Sequence, residues 1–342
     1  MNFLEKLVNA NGVCGSEEEI RGLIEKEISQ HVNKTYIDKM GNLVAIKKGD
    51  KPRVMLAAHM DEVGLMAKSI LETGEIFFSP LGAVKPDSMI GQKALVRGSK
   101  STVMGIITSK IVRNGWDIVG EREPHTIHNL FIDTGLTKKE LEGEGVTVGS
   151  AVSFVQESGY LANRKYFFGK ALDDRIGCYV LVELAKKLKR TRNEIDFVFT
   201  VQEEMGLYGA KTAAFELSPD WAIAVDTINA NDCFNEKATK RLGYGPSITV
   251  KDADMLANKC IIGWLLDIAK KKKIQTQLDV SDSGTTDALT ISLSREGVPS
   301  AVVGIAVRNQ HSTVAMASVR DIESAIELLS ELLQNPPKVC LV

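Results

Sequence analysis

Residues 53–58 are a short, continuous apolar run, residues 195–201, 221–225, 274–280 and 301–306 also read as strands, and the longer stretches between those four carry helical periodicity. Runs of this length without polar alternation mark strands buried on both faces, and such strands need helices packed above and below them. The helices are expected at about 175–189, 206–216, 254–272, 286–296 and 319–334. Strand–helix alternation of this kind specifies an α/β fold: a mixed, largely parallel sheet with helices on both faces. Nearer the start, Ser16-Glu17-Glu18-Glu19 reads as a capping box opening an amphipathic helix to about residue 31. A hairpin follows, with Lys39-Met40-Gly41-Asn42 as its turn.

Between about residues 67 and 164 the texture changes. Short β-type runs recur at 76–78, 94–96, 101–107 and 151–155, punctuated by Gly, Pro and Asn-Gly. That is the pattern of a small β-barrel-like module. At 342 residues the chain exceeds the usual size of one core. The expected organisation is therefore an α/β domain built from 1–66 and 165–342, with a β-rich domain, 67–164, inserted into it.

The formal charge is −2 and the pI about 6.3, which gives no electrostatic footprint for nucleic acid. No apolar run reaches membrane length, so no membrane partner is expected either. The basic run Lys270-Lys271-Lys272-Lys273 closes a helical segment and complements its dipole. Cysteines 14, 178, 233, 260 and 340 stand far apart without a Cys-x-x-Cys pair. Such a scattered, odd set implies reduced thiols in a cytoplasmic protein rather than a disulfide framework.

Five segments place metal-binding side chains where strands are expected to end or helices to begin. They are His59-Met60-Asp61-Glu62, Leu172-Asp173-Asp174-Arg175, Glu203-Glu204, Asp226 and His311. In an open α/β sheet, ligands bind beyond the carboxyl ends of the strands. Two histidines with several carboxylates are the donors expected of two adjacent divalent cations, a hydrolytic centre. His59 offers an imidazole, and Asp61 is placed to hold its other ring nitrogen. A carboxylate such as Asp173 can bridge two cations, although an Asp at a helix start is also a common cap. Asp174 and Arg175 read as a local charge pair. Adjacent Glu203 and Glu204 point in different directions, so one can bind metal while the other serves as general base. Asp226 can be a ligand or a cap, and a lone His311 can be structural. Together the set reads as a hydrolase. No His-Glu-x-x-His, Walker loop, Gly-x-Gly-x-x-Gly or Gly-x-Ser-x-Gly competes with it.

These segments also carry a resemblance. His59-Met60-Asp61-Glu62-Val63-Gly64, Lys170-Ala171-Leu172-Asp173-Asp174-Arg175, Glu203-Glu204-Met205-Gly206, Val225-Asp226 and Thr286-Asp287-Ala288 resemble the tetrahedral (TET), or glutamyl, aminopeptidases, metallopeptidase family forty-two. Gly91-Gln92, Gly243-x-Gly245-Pro246 and Gly297-Val298-Pro299 extend the likeness over nearly the whole chain. The resemblance implies two metals, zinc or cobalt, with Asp173 bridging them. Glu204 and His311 would complete one site and His59 and Asp226 the other, with Glu203 as general base and Asp61 as the partner of His59. It implies removal of N-terminal residues from short peptides by a water activated between the two metals. It also implies that the β insert builds homo-dimers, which assemble into a hollow dodecamer. This chain departs from the family pattern beside its last histidine, at Asn309, Thr313 and Ala315. Two other readings share the same residues: a dinuclear-metal hydrolase of another acyl substrate, and a weakly active metal-binding assembly subunit.

Overall fold

The computed structural model describes residues 2–110, 125–334 and 336. The central strands Asn193–Thr200, Asp50–His59, Trp221–Asn229 and Ser300–Arg308 run parallel, in that spatial order. Antiparallel strands flank them. Lys34–Ile37 and Leu43–Lys47 form the expected hairpin on one side. Ala315–Ser318, Tyr166–Gly169 and Gly159–Leu161 extend the other, while Ser247–Lys251 and Gln277–Val280 branch from Ser300–Arg308. The sheet is thus mixed, with its parallel pairs concentrated at the centre.

Alternation along the central strands divides two apolar layers. Val54, Leu56 and Ala58 face a core shared with the helices Asn2–Asn9, Glu18–Ile28, Leu172–Lys187, Lys259–Lys272 and Val319–Gln334. Met55 and Ala57 face the opposite layer, closed by Tyr208–Leu217 and Asp287–Ser292. Both faces are buried because successive side chains of a strand point to opposite sides. Among the described residues no helix is long and apolar enough to cross a membrane.

Two local expectations are corrected. Ser16 and Glu17 form no capping box. The helix starts at Glu18 without a side-chain cap, and Glu17 instead accepts the N–H of Gly15 at 2.8 Å. Glutamate is long enough to fold back on its own turn, and that local bond wins. The long helix expected from 254 starts only at Lys259, because Asn258 caps it through the N–H groups of Cys260 and Ile261. The strand Ser247–Lys251 just before it carries no run long enough to stand out in the sequence.

The β-rich segment closes into a six-stranded antiparallel barrel. Its strands are Gly64–Ile70, Ile76–Leu81, Leu130–Asp133, Thr102–Ser109, Lys93–Arg97 and Ala151–Phe154, in spatial order. Its core is separate, built on Leu65, Ile76, Val96, Ile107 and Val152. The chain is back in the large sheet at Gly159. Cys14, Cys178 and Cys233 are free thiols, but Cys260 is disulfide-bonded, so the expectation of reduced thiols does not hold for it. Sequence spacing cannot report which distant segments meet. Cys340 lies outside the described residues.

Candidate metal centre

The parallel strands end together, and that is what assembles the site. His59 closes the strand Asp50–His59, and Glu203 and Glu204 follow Asn193–Thr200 after Gln202 turns the chain with φ +55°. His311 lies in the loop after Ser300–Arg308, itself at φ +58° and next but one to Asn309 at +61°. Asp226 sits inside Trp221–Asn229 rather than at its end. Asp173 opens the helix Leu172–Lys187, preceded by Ala171 at φ +50°. Left-handed backbone at non-glycine residues is costly, and its clustering here is characteristic of functional sites.

Asp173 stands between the two histidines. Its Oδ1 lies 3.3 Å from His59 Nε2, and its Oδ2 lies 3.1 Å from His311 Nε2. His59 Nε2 is also 3.8 Å from Asp226 Oδ1 and 3.9 Å from Glu203 Oε2. His311 Nε2 is 3.4 Å from Glu204 Oε1. Every proposed ligand and both glutamates therefore meet in one place. Donor atoms of His59, Asp173 and Glu204 lie within 4.8 Å of one another, as do those of His59, Glu203 and Asp226.

The ring of His59 is oriented from behind. Its Nδ1 lies 3.1 Å from the Asp61 carbonyl oxygen, while the Asp61 carboxylate is further off at 3.5 Å. With Nδ1 engaged from behind, Nε2 is the ring nitrogen turned toward the cluster. The Asp61 carboxylate does something else. Its Oδ1 accepts the backbone N–H of Glu203 and its Oδ2 that of Glu204, at 3.0 and 3.1 Å. The buried thiol of Cys14 donates to the same Oδ2 at 2.8 Å. Burial pushes that thiol up, so it stays protonated and donates.

Burial and mutual repulsion raise Glu203 and Asp226 well above the usual carboxylate range, and burial lifts Glu204 to about 7. Burial opposes the charge on both histidines, but their carboxylate neighbours outweigh it, and His311 rises to about 9. Burial would raise Asp173 too, yet hydrogen bonds from both histidines pull it well below the usual range. Buried carboxylates thus outnumber the cations available to them. Glu204 Oε1 is buried without a hydrogen-bond donor. Nitrogen and oxygen donors in this arrangement, with unspent negative charge, fit divalent cations.

Several participants gave no signal of their role in the sequence. Cys14 is one. Gln310 is another: its Nε2 donates to Asp173 Oδ2 at 2.8 Å and to Thr227 Oγ1 at 3.1 Å. Asp287 is buried beside the cluster, accepts Thr200 Oγ1 at 2.5 Å, and is raised by burial to about 6. The expected Asp174–Arg175 pair is not formed. Arg175 is fully buried and donates to the carbonyls of Met60 at 2.9 Å and Leu7 at 2.6 Å. Asp174 accepts the N–H of Gly177 instead. A guanidinium reaches several backbone carbonyls at once, which a neighbouring carboxylate cannot replace.

The barrel also reaches the site. Lys85 Nζ donates to the Gln310 carbonyl at 2.7 Å, and Thr313 Oγ1 donates to the Ser88 carbonyl at 3.3 Å. At Gly82, φ +80°, a Cβ would sit 3.0 Å from Glu204 Oε2. Ala315 is buried in the main core and pairs with Gly169.

Comparison with known proteins agrees with this geometry. The family model described as M42 glutamyl aminopeptidase matches residues 41–328. The chain belongs to the M42 aminopeptidase family. It is an enzyme that hydrolyses peptide bonds. A lysyl aminopeptidase of Pyrococcus furiosus is 34% identical over 340 residues, covering 97% of this chain and 96% of that protein. An aminopeptidase structure from the archaeon Desulfurococcus kamchatkensis superposes with a TM-score of 0.92 at 34% identity, over 98% of this chain and 94% of that one. The TET1 peptidase of Pyrococcus horikoshii, whose structure assembles into a tetrahedron or a large octahedral shell, matches with a TM-score of 0.86 at 27% identity, over 98% and 99% of the two chains.

Proposed function

We propose that this M42 enzyme removes single residues from the free N-termini of short peptides with the help of two divalent cations, zinc or cobalt. The observation that carries the reading is Asp173, whose two oxygens face His59 and His311 separately. Asp173 would touch both ions, His59 and Asp226 would complete one set of ligands, and Glu204 and His311 the other. When bound, the cations supply polarisation of the scissile carbonyl and lower the pKa of water from 15.7 toward about 7.

The remaining work falls to the chain. Glu203, held by its N–H on Asp61, takes the proton from the attacking water and passes it to the leaving amine. Asp61 fixes the pair Glu203 and Glu204 relative to His59, and the cavity of about 510 Å³ beside them receives the first residue of the peptide.

The domain division belongs to the same reading: 1–66 with 165–342 as the catalytic domain and 67–164 as the domain through which copies pair. Support comes from the shells formed by the Pyrococcus horikoshii relative and from the outward-facing Met104 and Ile106 on the barrel strand Thr102–Ser109. A cytoplasmic location is supported by the free buried thiols of Cys14 and Cys178, and the disulfide of Cys260 counts against it.

The test is cleavage of aminoacyl-p-nitroanilides and matched N-acetylated peptides after EDTA stripping and readdition of zinc or cobalt. Metal-restored release from free N-termini alone is the expected result. Release from acetylated substrates instead would make it a deacylase or endopeptidase, and no release with metal bound would make it an assembly subunit.

A further inference from the structure

The family description names a glutamyl enzyme and the Pyrococcus furiosus relative a lysyl one, so selectivity must come from residues of the individual pocket. In this chain the cavity that contains His59, Glu203 and Asp226 continues to a wall carrying Lys240, Asp252 and Asp279. Thr249 and Asp279 are register partners on the adjacent strands Ser247–Lys251 and Gln277–Val280, so both project to the same face.

The charges on that wall do not balance. Lys240 Nζ lies 3.4 Å from Asp279 Oδ1, which pairs the one ammonium with one carboxylate. Asp252 is left over. It is 5% exposed, and Asp279 is 3% exposed. The Asp252 Oδ1 accepts the N–H groups of Asp254 and Met255, at 2.9 and 2.7 Å, and so closes a turn. Its Oδ2 is buried with no hydrogen-bond partner. Lys251 does not neutralise it: that ammonium goes to Asp282 at 3.0 Å and to the carbonyls of Asp252 and Ser281. Thr285, on the same cavity, also buries an unpartnered Oγ1.

A buried carboxylate oxygen without a donor is costly unless something arrives to meet it. We propose that this wall selects substrates whose N-terminal residue is lysine or arginine, with Asp252 and Asp279 receiving the cationic side chain. The inference rests on the aminopeptidase reading given above. An ammonium at this wall meets two carboxylates, Asp252 and Asp279, against the single ammonium of Lys240. A substrate carboxylate there would face the carboxylate of Asp252, and Lys240 is already paired with Asp279.

Two measurements on the metal-loaded protein separate this inference from the reading beneath it. The first is calorimetric binding of L-lysinamide against L-norleucinamide, which keeps the four-carbon side chain and the α-amine and lacks the ε-ammonium. Lysinamide is expected to bind at least about tenfold more tightly, the preference falling about tenfold in Asp252→Asn. That variant keeps an Oδ1 acceptor for the Asp254–Met255 turn, and its melting temperature checks folding. Equal binding, or tighter norleucinamide, overturns the proposal whatever the catalytic result. The second is the kcat/KM ratio of lysyl- to glutamyl-p-nitroanilide in wild type and Lys240→Gln. Removing the ammonium is expected to raise the ratio several-fold, by freeing Asp279. A wild-type preference for glutamyl substrate, abolished in Lys240→Gln, would make Lys240 the selector and overturn the assignment. No cleavage of any free N-terminus would count against the aminopeptidase reading alone, since the binding comparison still decides the pocket.

Discussion

Asp61 Oδ1 accepts the backbone N–H of Glu203 at 3.0 Å, so the segment carrying the proposed base is held by a carboxylate two residues beyond His59. Two strand ends, distant in sequence, are locked to each other by this bond. The glutamate side chains are left free to face the cavity.

The adjacent glutamates are expected to separate by function. Glu203→Gln should reduce kcat by about 10³-fold, the scale of general-base catalysis, while metal content stays at the wild-type level. Glu204→Gln should lose about one metal equivalent as well as activity. Elemental analysis beside steady-state kinetics checks both, and metal loss in the first variant with retention in the second would reverse the roles.

Asp61→Ala should weaken metal binding by about 10–100-fold, the usual effect of deleting a group that orients ligands. Here the loss would act through Glu203, Glu204 and the His59 ring together. Competition with a fluorescent chelator measures it. An unchanged affinity would mean that the strand ends hold themselves.

Metal-free protein should lose stability as pH rises from about 4.5 to about 9. Burial raises Glu204 from 4.5 to about 7. His311 rises from 6.5 to about 9 because Asp173 and Glu204 outweigh the opposing effect of burial. In these windows the folded chain holds protons that the unfolded chain would release, so unfolding becomes easier as each window is crossed upward. Metal replaces those protons, and its stabilising effect should therefore grow over the same range. Melting curves with EDTA and with zinc, taken across the range, decide it. A metal-free protein that gains stability with pH would contradict these shifts.

Arg175→Ala should cost about 3–5 kcal/mol, because it removes a buried cation that ties the carbonyls of Met60 and Leu7 to Glu62. Urea midpoints compared at a common slope give the value. A loss below about 1 kcal/mol would show that the lysine Lys170, which also binds Glu62 at 2.6 Å, carries the network alone.

Met104→Asp and Ile106→Asp should lower the solution mass by breaking contacts between copies. Both side chains stand more than half exposed on the barrel, with 55% and 53% of their surface open. Light scattering of the wild type should show an oligomer and of the variants a smaller species. A wild-type monomer would remove the barrel from any role in assembly.

How much of this was legible in the sequence follows from the range of each interaction. The central strands, the helices between them and the barrel insert all showed as local hydrophobic periodicity, which depends on neighbours a few residues apart. His59, Glu203, Glu204 and His311 could be gathered because strand ends of a parallel sheet converge, with Asp173 at the helix start beside them and Asp226 within a neighbouring strand. The tertiary structure alone decided what those side chains touch. It sent Arg175 to the carbonyls of Met60 and Leu7 rather than to Asp174, and brought the Cys14 thiol and the Gln310 amide onto Asp61 and Asp173. It also left Asp252 with an empty oxygen in the cavity wall. Such contacts join residues tens to hundreds of positions apart, through bonds that any carbonyl, thiol or amide can make, and no periodicity along the chain encodes them.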